Sequence, residues 1–142
     1  MMTNCKVVDA WALLAWVRDE GSAAMRVRDC LLGAAEGDFQ LLMSWINAGE
    51  VYYMLARKHN AKAANDFLRR LPSLPIRLML PDEEMIMEAA KLKSLHRLSY
   101  ADAFAVALAV REDAAVITGD PEIRDLSIST SGRVKVEWIG AA

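Results

Sequence analysis

Cysteine and histidine are scarce in this chain: two of each in 142 residues. Cys5 and Cys30 have neither a CxxC partner nor metal-ligand spacing, which argues against a disulfide framework or a thiolate zinc site and leaves two reduced, packed thiols. Apolar runs long enough to span a bilayer are lacking, and the opening MMTNCKVVD does not have the charged-then-apolar shape of a signal peptide. A cytoplasmic protein with no membrane role is therefore expected. Positive charge is not in excess either: 17 Lys and Arg stand against 19 Asp and Glu, a formal net charge of −2. The molecule as a whole is no electrostatic trap for nucleic acid. That weighs mildly against a nucleic-acid substrate without excluding one, because acids that hold metal lower the charge count while the ions restore local positive charge. Internal repeats, low-complexity runs and linkers are also missing, so residues 1–142 are expected to form a single domain.

What is present is a 54% apolar composition in which helical patterns alternate with short apolar runs, the mark of an α/β fold. Lys6 to Val8 reads as a strand closed by Asp9 and followed by a helix through Val17. A second helix starts near Ser22 and stops at Gly37, and Phe39 to Met43 is the next strand. Ser44 caps a helix running to about His59. Asn47, Glu50 and Met54 share one of its faces, and Gly49 within it predicts close approach of another element. Glu50 lies only about 9 Å along that helix from its start. Ala61 to Leu71 is helical and Ile76 to Leu80 a strand, and Pro81 to Glu84 opens a helix reaching about Arg97. Past Asp120, Pro121 to Ser131 reads as a polar loop with one helical turn. Val134, Val136 and Trp138 then alternate with Lys135 and Glu137 as an edge strand with one wet face.

The stretch from Ser99 to Asp120, SYADAFAVALAVREDAAVITGD, is the most informative. Ser99 reads as an N-cap with Asp102 at capping-box spacing. The residues up to Val110 are apolar on every side, as in a buried central helix. Ala114 to Thr118 lacks polar alternation, as expected of a parallel strand covered on both faces. In such a unit the helix runs antiparallel to the strands, so Asp102 at the helix start and Asp120 after the strand should be neighbours.

Four acids then converge. Asp9 closes the first strand, Glu50 sits early in the helix after the second, Asp102 opens the central helix and Asp120 follows the fourth strand. All fall at the carboxyl edge of a parallel sheet, where open α/β sheets place ligands. Together they would repel and raise one another's pKa values unless a hard cation neutralised them. An all-oxygen donor set favours Mg²⁺ or Mn²⁺ over Zn²⁺. Taken singly, each acid has a plain explanation: Asp9 ends a strand, Asp102 caps a helix, Asp120 turns a Gly-Asp-Pro corner and Glu50 is a solvated helix residue. The shared edge is what lifts the set. Arg57 and Lys58 read first as a solvated helix end and only secondarily as RNA contacts.

The segments KVVDAWALLAW, INAGEVYYMLARK, LSYADAFAVALA and VITGDPEI occur in this order across nearly the whole chain. The pattern closely resembles the PIN-domain nucleases, most of all the VapC-type toxins of bacterial toxin–antitoxin pairs. The resemblance implies a PIN-like three-layer fold, with a short, mostly parallel sheet of four to five strands flanked by helices. It implies that Asp9, Glu50, Asp102 and Asp120 are catalytic metal ligands, with Asn47 and Thr118 in support and Glu122 as an auxiliary acid. It also implies a Mg²⁺- or Mn²⁺-dependent endoribonuclease that needs no protein nucleophile and leaves 5′-phosphate and 3′-hydroxyl ends. An antitoxin protein as partner and a homodimer through the third and fourth helices belong to the same expectation. One departure is Trp11, which stands where many members carry a small polar residue two positions after the first Asp.

Two other classes fit less well. A PIN-like binding module that has lost catalysis would lack one of the acids, and none is lacking. A phospho-acceptor signalling domain would need paired acids after the first strand, where this chain has Ala10 and Trp11.

Overall fold

The computed structural model describes residues 4–141. Five strands, β1 (Cys5–Val8), β2 (Gln40–Ser44), β3 (Arg77–Met79), β4 (Ala115–Thr118) and β5 (Lys135–Trp138), form one sheet in the order β3-β2-β1-β4-β5. Every pairing is parallel, so the sheet is wholly rather than mostly parallel. Seven helices surround it: α1 (Ala10–Val17), α2 (Gly21–Ala35), α3 (Trp45–Lys58), α4 (Ala61–Arg70), α5 (Glu83–Leu95), α6 (Tyr100–Arg111) and α7 (Pro121–Ser129). Among the described residues no helix is long and apolar enough to cross a membrane.

Alternation along the strands divides the core in two. Val8, Leu41, Met43 and Ile117 face α1 to α4, where they meet Leu13, Val51 and Leu55. Val7, Leu42 and Val116 face the other way, against Phe104, Val106, Leu108 and Ile123. With both faces covered the strands need no solvent-facing side, and β2 and β4 are buried beyond their first residues. The same argument accounts for α6, buried without interruption from Asp102 to Ala109, as its all-round apolar sequence predicts. Side-chain oxygens start every helix but α2: Asp9 on Ala12 N, Ser44 on Ile46 N, Asn60 on Ala63 N, Asp82 on Met85 N, Ser99 on Asp102 N and Asp120 on Glu122 N. Such caps each contribute about 1 kcal/mol.

Two expectations need correction. Residues 121–131 are not a loop with one turn, because Pro121 to Ser129 form a helix capped by Asp120, with Ile123 and Leu126 buried. Pro in the first turn directly after an Asp cap is a helix start, and the abundance of serine and charge beyond it masks a two-residue apolar stripe. Gly49 does not answer to close approach within the molecule either: a Cβ built on it meets nothing within 4 Å. It lies on an open, mostly apolar groove with Trp45, Ala48, Tyr52, Leu68 and Leu71.

The topology decides where a ligand can sit. From β1 the chain proceeds to β2 and β3 on one side, and β4 and β5 lie on the other. The switch point is therefore the crevice between the carboxyl ends of β1 and β4, where doubly wound sheets bind ligands. Asp9 follows β1 and Asp120 follows β4.

Candidate metal centre

Asp9 is fully buried and holds α1 in register by accepting the Ala12 amide at 2.9 Å. Its other oxygen accepts the Thr118 hydroxyl. Thr118 in turn accepts the Asp120 amide at 2.9 Å, so one buried hydroxyl ties the first acid to the backbone of the last across the switch point. Asp120 caps α7 by accepting the Glu122 amide at 2.9 Å. That cap turns Glu122 toward the cluster: Asp102, Asp120 and Glu122 each offer a carboxylate oxygen within 4.8 Å of the others.

The remaining two acids come from α6 and α3. Asp102 is buried in the first turn of α6, its amide capped by Ser99. Glu50 stands in the second turn of α3. Asn47, one turn earlier and fully buried, donates its side-chain amide to the Ala101 carbonyl at 3.0 Å. This bond joins the starts of α3 and α6 across the sheet edge, and so sets Glu50 relative to Asp102.

The electrostatics show a site short of positive charge. Burial pushes the Asp9 carboxyl up to about 7, against the opposing hydrogen bonds from Thr118 and Ala12 and with help from the charges of Asp120 and Glu50. Burial also raises Asp102, and the hydrogen bond and charge of Asp120 push the same way. Glu50 is raised by burial, an effect reduced by Asn47 and increased by Asp120. None of the ion pairs among the described residues involves any of these acids. Glu50 Oε1 is buried with no hydrogen-bond partner among the described residues. Orphaned carboxylate oxygen, clustered acids and no neutralising side chain among the described residues fit a hard divalent cation: the donors are all oxygen, and a cation would offset the burial and the repulsion that raise the pKa values.

The sequence-derived residues thus divide. Asp102, Asp120 and Glu122 come within 4.8 Å of one another at one edge, with Asp9 and Glu50 beside them close enough to shift in one another's field, and Asn47 and Thr118 hold the set by hydrogen bonds. Lys58 lines the same cleft, a space of about 250 Å³ shared with Trp11, Leu14, Arg18, Glu50, Met54, Asp102 and Asp120. Arg57 is exposed and does not line it. Two features escape a reading of the sequence. Trp11 packs over the switch point so closely that a Cβ on Gly119 would fall 2.2 Å from its ring; a bulky residue after the first Asp, paired with glycine between Thr118 and Asp120, is the available signal. Arg18, at the end of α1, turns into the cleft, and nothing in its local sequence distinguishes it from a solvated helix end.

A family model for the PIN domain matches residues 6–128. No curated protein matches the sequence. Among solved structures, VapC20 of Mycobacterium tuberculosis, described as a sarcin-ricin loop cleaving toxin, superposes with a TM-score of 0.70 at 18% identity, over 92% of this chain and 98% of that one. VapBC2 of Rickettsia felis, solved bound to a promoter DNA fragment, gives 0.69 at 12% identity, over 94% and 97%. FitAcB of Neisseria gonorrhoeae gives 0.64 at 19%, over 92% and 94%. At these identities the likeness to solved structures is one of fold. The family match runs from β1 nearly to the end of α7 and takes in all four clustered acids, and the chain belongs to the PIN-domain family.

Proposed function

We propose that the protein is a metal-dependent endoribonuclease, the toxin of a toxin–antitoxin pair, with Asp9, Glu50, Asp102 and Asp120 as its metal ligands. The observation that carries this is the unneutralised cluster: carboxylates from four separate elements at a topological switch point, one with an orphaned buried oxygen. A bound Mg²⁺ or Mn²⁺ would supply Lewis-acid polarisation of a phosphodiester and acidify water for in-line attack.

The chain's own residues do the positioning. Thr118 fixes the Asp9 carboxylate and, through the Asp120 amide, the turn that carries the last acid. Asn47 fixes α3 against α6 and with it the Glu50 to Asp102 separation. Asp9 sits beneath the cleft with no exposure, so its role is to hold charge rather than touch RNA. Glu122, within 4.8 Å of the Asp102 and Asp120 oxygens, is placed to accept a proton from a water or to extend the ligand set. None of these steps needs a side chain as nucleophile, and among the described residues no serine, cysteine or histidine lines the cleft.

A toxin of this kind works against an antitoxin. Several of the structural neighbours are toxin–antitoxin complexes, which supports the same arrangement here. A homodimer through α3 and α4 is supported by the exposure of Trp45, Tyr53 and Leu68, between 39% and 48%, and by the open groove at Gly49. The test is to induce the protein in cells, sequence newly formed 5′-phosphate RNA ends and compare with Asp9→Asn. New ends confined to the unaltered protein support the proposal. Identical ends in both, or none in either, reject it.

A further inference from the structure

The acid cleft has a direction. Ala10, Trp11, Leu14, Ala15 and Arg18 line it from α1, and Glu50, Met54 and Lys58 line it from α3. On each helix these positions recur at helical spacing, so one face of α1 and one face of α3 form the two walls. Both helices start at the carboxyl edge, after β1 and β2, and pack on each other on one side of the sheet. The acid cluster therefore lies at one end and two cations at the other, where Glu20 also lines the cleft beside Arg18: Arg18 lies ~14 Å of helix beyond Asp9, and Lys58 ~12 Å beyond Glu50. Between the two ends the lining is apolar.

Arg18 is poised rather than satisfied. Its side chain is 21% exposed, its one ion pair among the described residues is a loose 3.6 Å contact from Nη1 to Glu20, whose own side chain is half in solvent, and its Nε is buried with no hydrogen-bond partner among those residues. A guanidinium kept there to neutralise the acids would pair with them, and it pairs with none. A buried donor without an acceptor is costly. A forked donor at the cationic end of a cleft fits a phosphate better than any other common anion, because it can give two parallel hydrogen bonds.

From this geometry, and resting on the nuclease reading above, we infer that the groove between α1 and α3 is the track of a single RNA strand. Arg18 is its positioning residue, binding a backbone phosphate a few nucleotides from the one held at the acids, with Lys58 opposite. The division of labour is physical. Carboxylates repel a polyanion wherever no cation intervenes, so a strand laid along this cleft needs donors at the far end to offset the acidic one. A phosphate contact of this kind sets register and not sequence preference, so its loss should weaken all sequences alike.

The experiment measures binding of a short fluorescein-labelled single-stranded RNA of mixed sequence in the presence of Mn²⁺. Asp120→Asn protein serves as the uncleaving parent, and binding is followed across a range of salt. Adding Arg18→Gln is expected to weaken binding about tenfold, the loss typical of one charge-assisted hydrogen bond. It should also lower the slope of log affinity against log salt by about 0.7, the value for one phosphate contact on a single strand. Arg18→Lys should keep the slope and recover only part of the affinity, because charge remains and the fork is lost. A purely structural role for Arg18 would change the melting temperature but not the salt slope. If Arg18→Gln melts early, Arg18→Lys decides: affinity equal to the parent overturns the inference. Unchanged affinity and slope in Arg18→Gln overturn it while leaving the nuclease reading intact, and failure of the parent to bind RNA at all rejects both.

Discussion

Replacing Asp9 by Asn should make the metal-free protein more stable, although it removes a ligand. Asp9 is fully buried, and its carboxyl, ordinarily at 3.8, is held up to about 7 by desolvation. Each tenfold change in proton affinity is worth about 1.4 kcal/mol, which puts the penalty of the ionised carboxylate at about 4 kcal/mol above neutrality. The sign follows from proton counts. Between pH 3.8 and about 7 the folded protein keeps a proton on Asp9 that the unfolded chain has released, so stability contributed by that proton falls as pH rises and is gone above 7. The amide of the Asp9→Asn variant has nothing to release, and its oxygen can still accept the Ala12 N–H. The advantage of the variant should therefore be near zero at pH 4, grow to about pH 7 and stay level beyond it. For a chain of this length it amounts to a rise in melting temperature on the order of 10 °C at pH 8. Saturating Mn²⁺ should reverse the order, because the four-acid site binds the ion more tightly and gains more from it. Thermal unfolding across pH, in EDTA and in Mn²⁺, reads all of this. An Asp9→Asn protein no more stable than the parent at pH 8 in EDTA would refute the claim that the buried Asp9 carboxylate is costly without a cation.

Thr118→Val keeps the shape of the side chain while leaving Asp9 Oδ2 and the Asp120 amide without their shared hydroxyl. Calorimetry should show Mn²⁺ affinity down by roughly 10- to 100-fold, the usual effect of losing an outer hydrogen bond to a ligand, with Thr118→Ser close to the parent. Gly119→Ala puts a methyl into the Trp11 ring, 2.2 Å from its nearest atom, and should destabilise by about 1–3 kcal/mol as an overpacked site. Combining it with Trp11→Ala should be less harmful than the sum of the two changes, as denaturant unfolding would show. Asn47→Ala breaks the bridge to the Ala101 carbonyl and should cost about 1 kcal/mol. Leu68→Glu, on the open groove of α3 and α4, should leave the fold intact and shift the protein toward monomer in sedimentation. An unchanged mass would argue for a different contact surface.

How much of this can be read from the sequence differs by element. β4 and α6 are legible because, apart from Thr118 and Asp102 at the site, their apolar run has one economical explanation, burial on all sides, and the structure buries them so. The convergence of Asp9, Asp102 and Asp120 follows from strand order and the parallel crossover rule alone. α7 is not legible, since a nine-residue helix with two buried residues carries too little periodicity to stand out from a polar loop. Its Asp-Pro start is the one local signal. Gly49 misleads because glycine in a helix reports only that a side chain is unwanted, not whether the neighbour belongs to the same chain. Arg18 is invisible for a different reason: a charge at a helix end reads as solvated until tertiary structure turns it into a cleft. The site's acids are thus placed by topology, and its cationic end only by packing.

The central claim is that the acid cluster is a metal-dependent phosphodiesterase centre. It is tested most directly by incubating purified protein with end-labelled RNA in Mg²⁺, in Mn²⁺ and in EDTA, beside Asp120→Asn. Cleavage should require added ion, leave 5′-phosphate ends and be lost in the variant. Cleavage that persists in EDTA, or proceeds at an equal rate in Asp120→Asn, would contradict it.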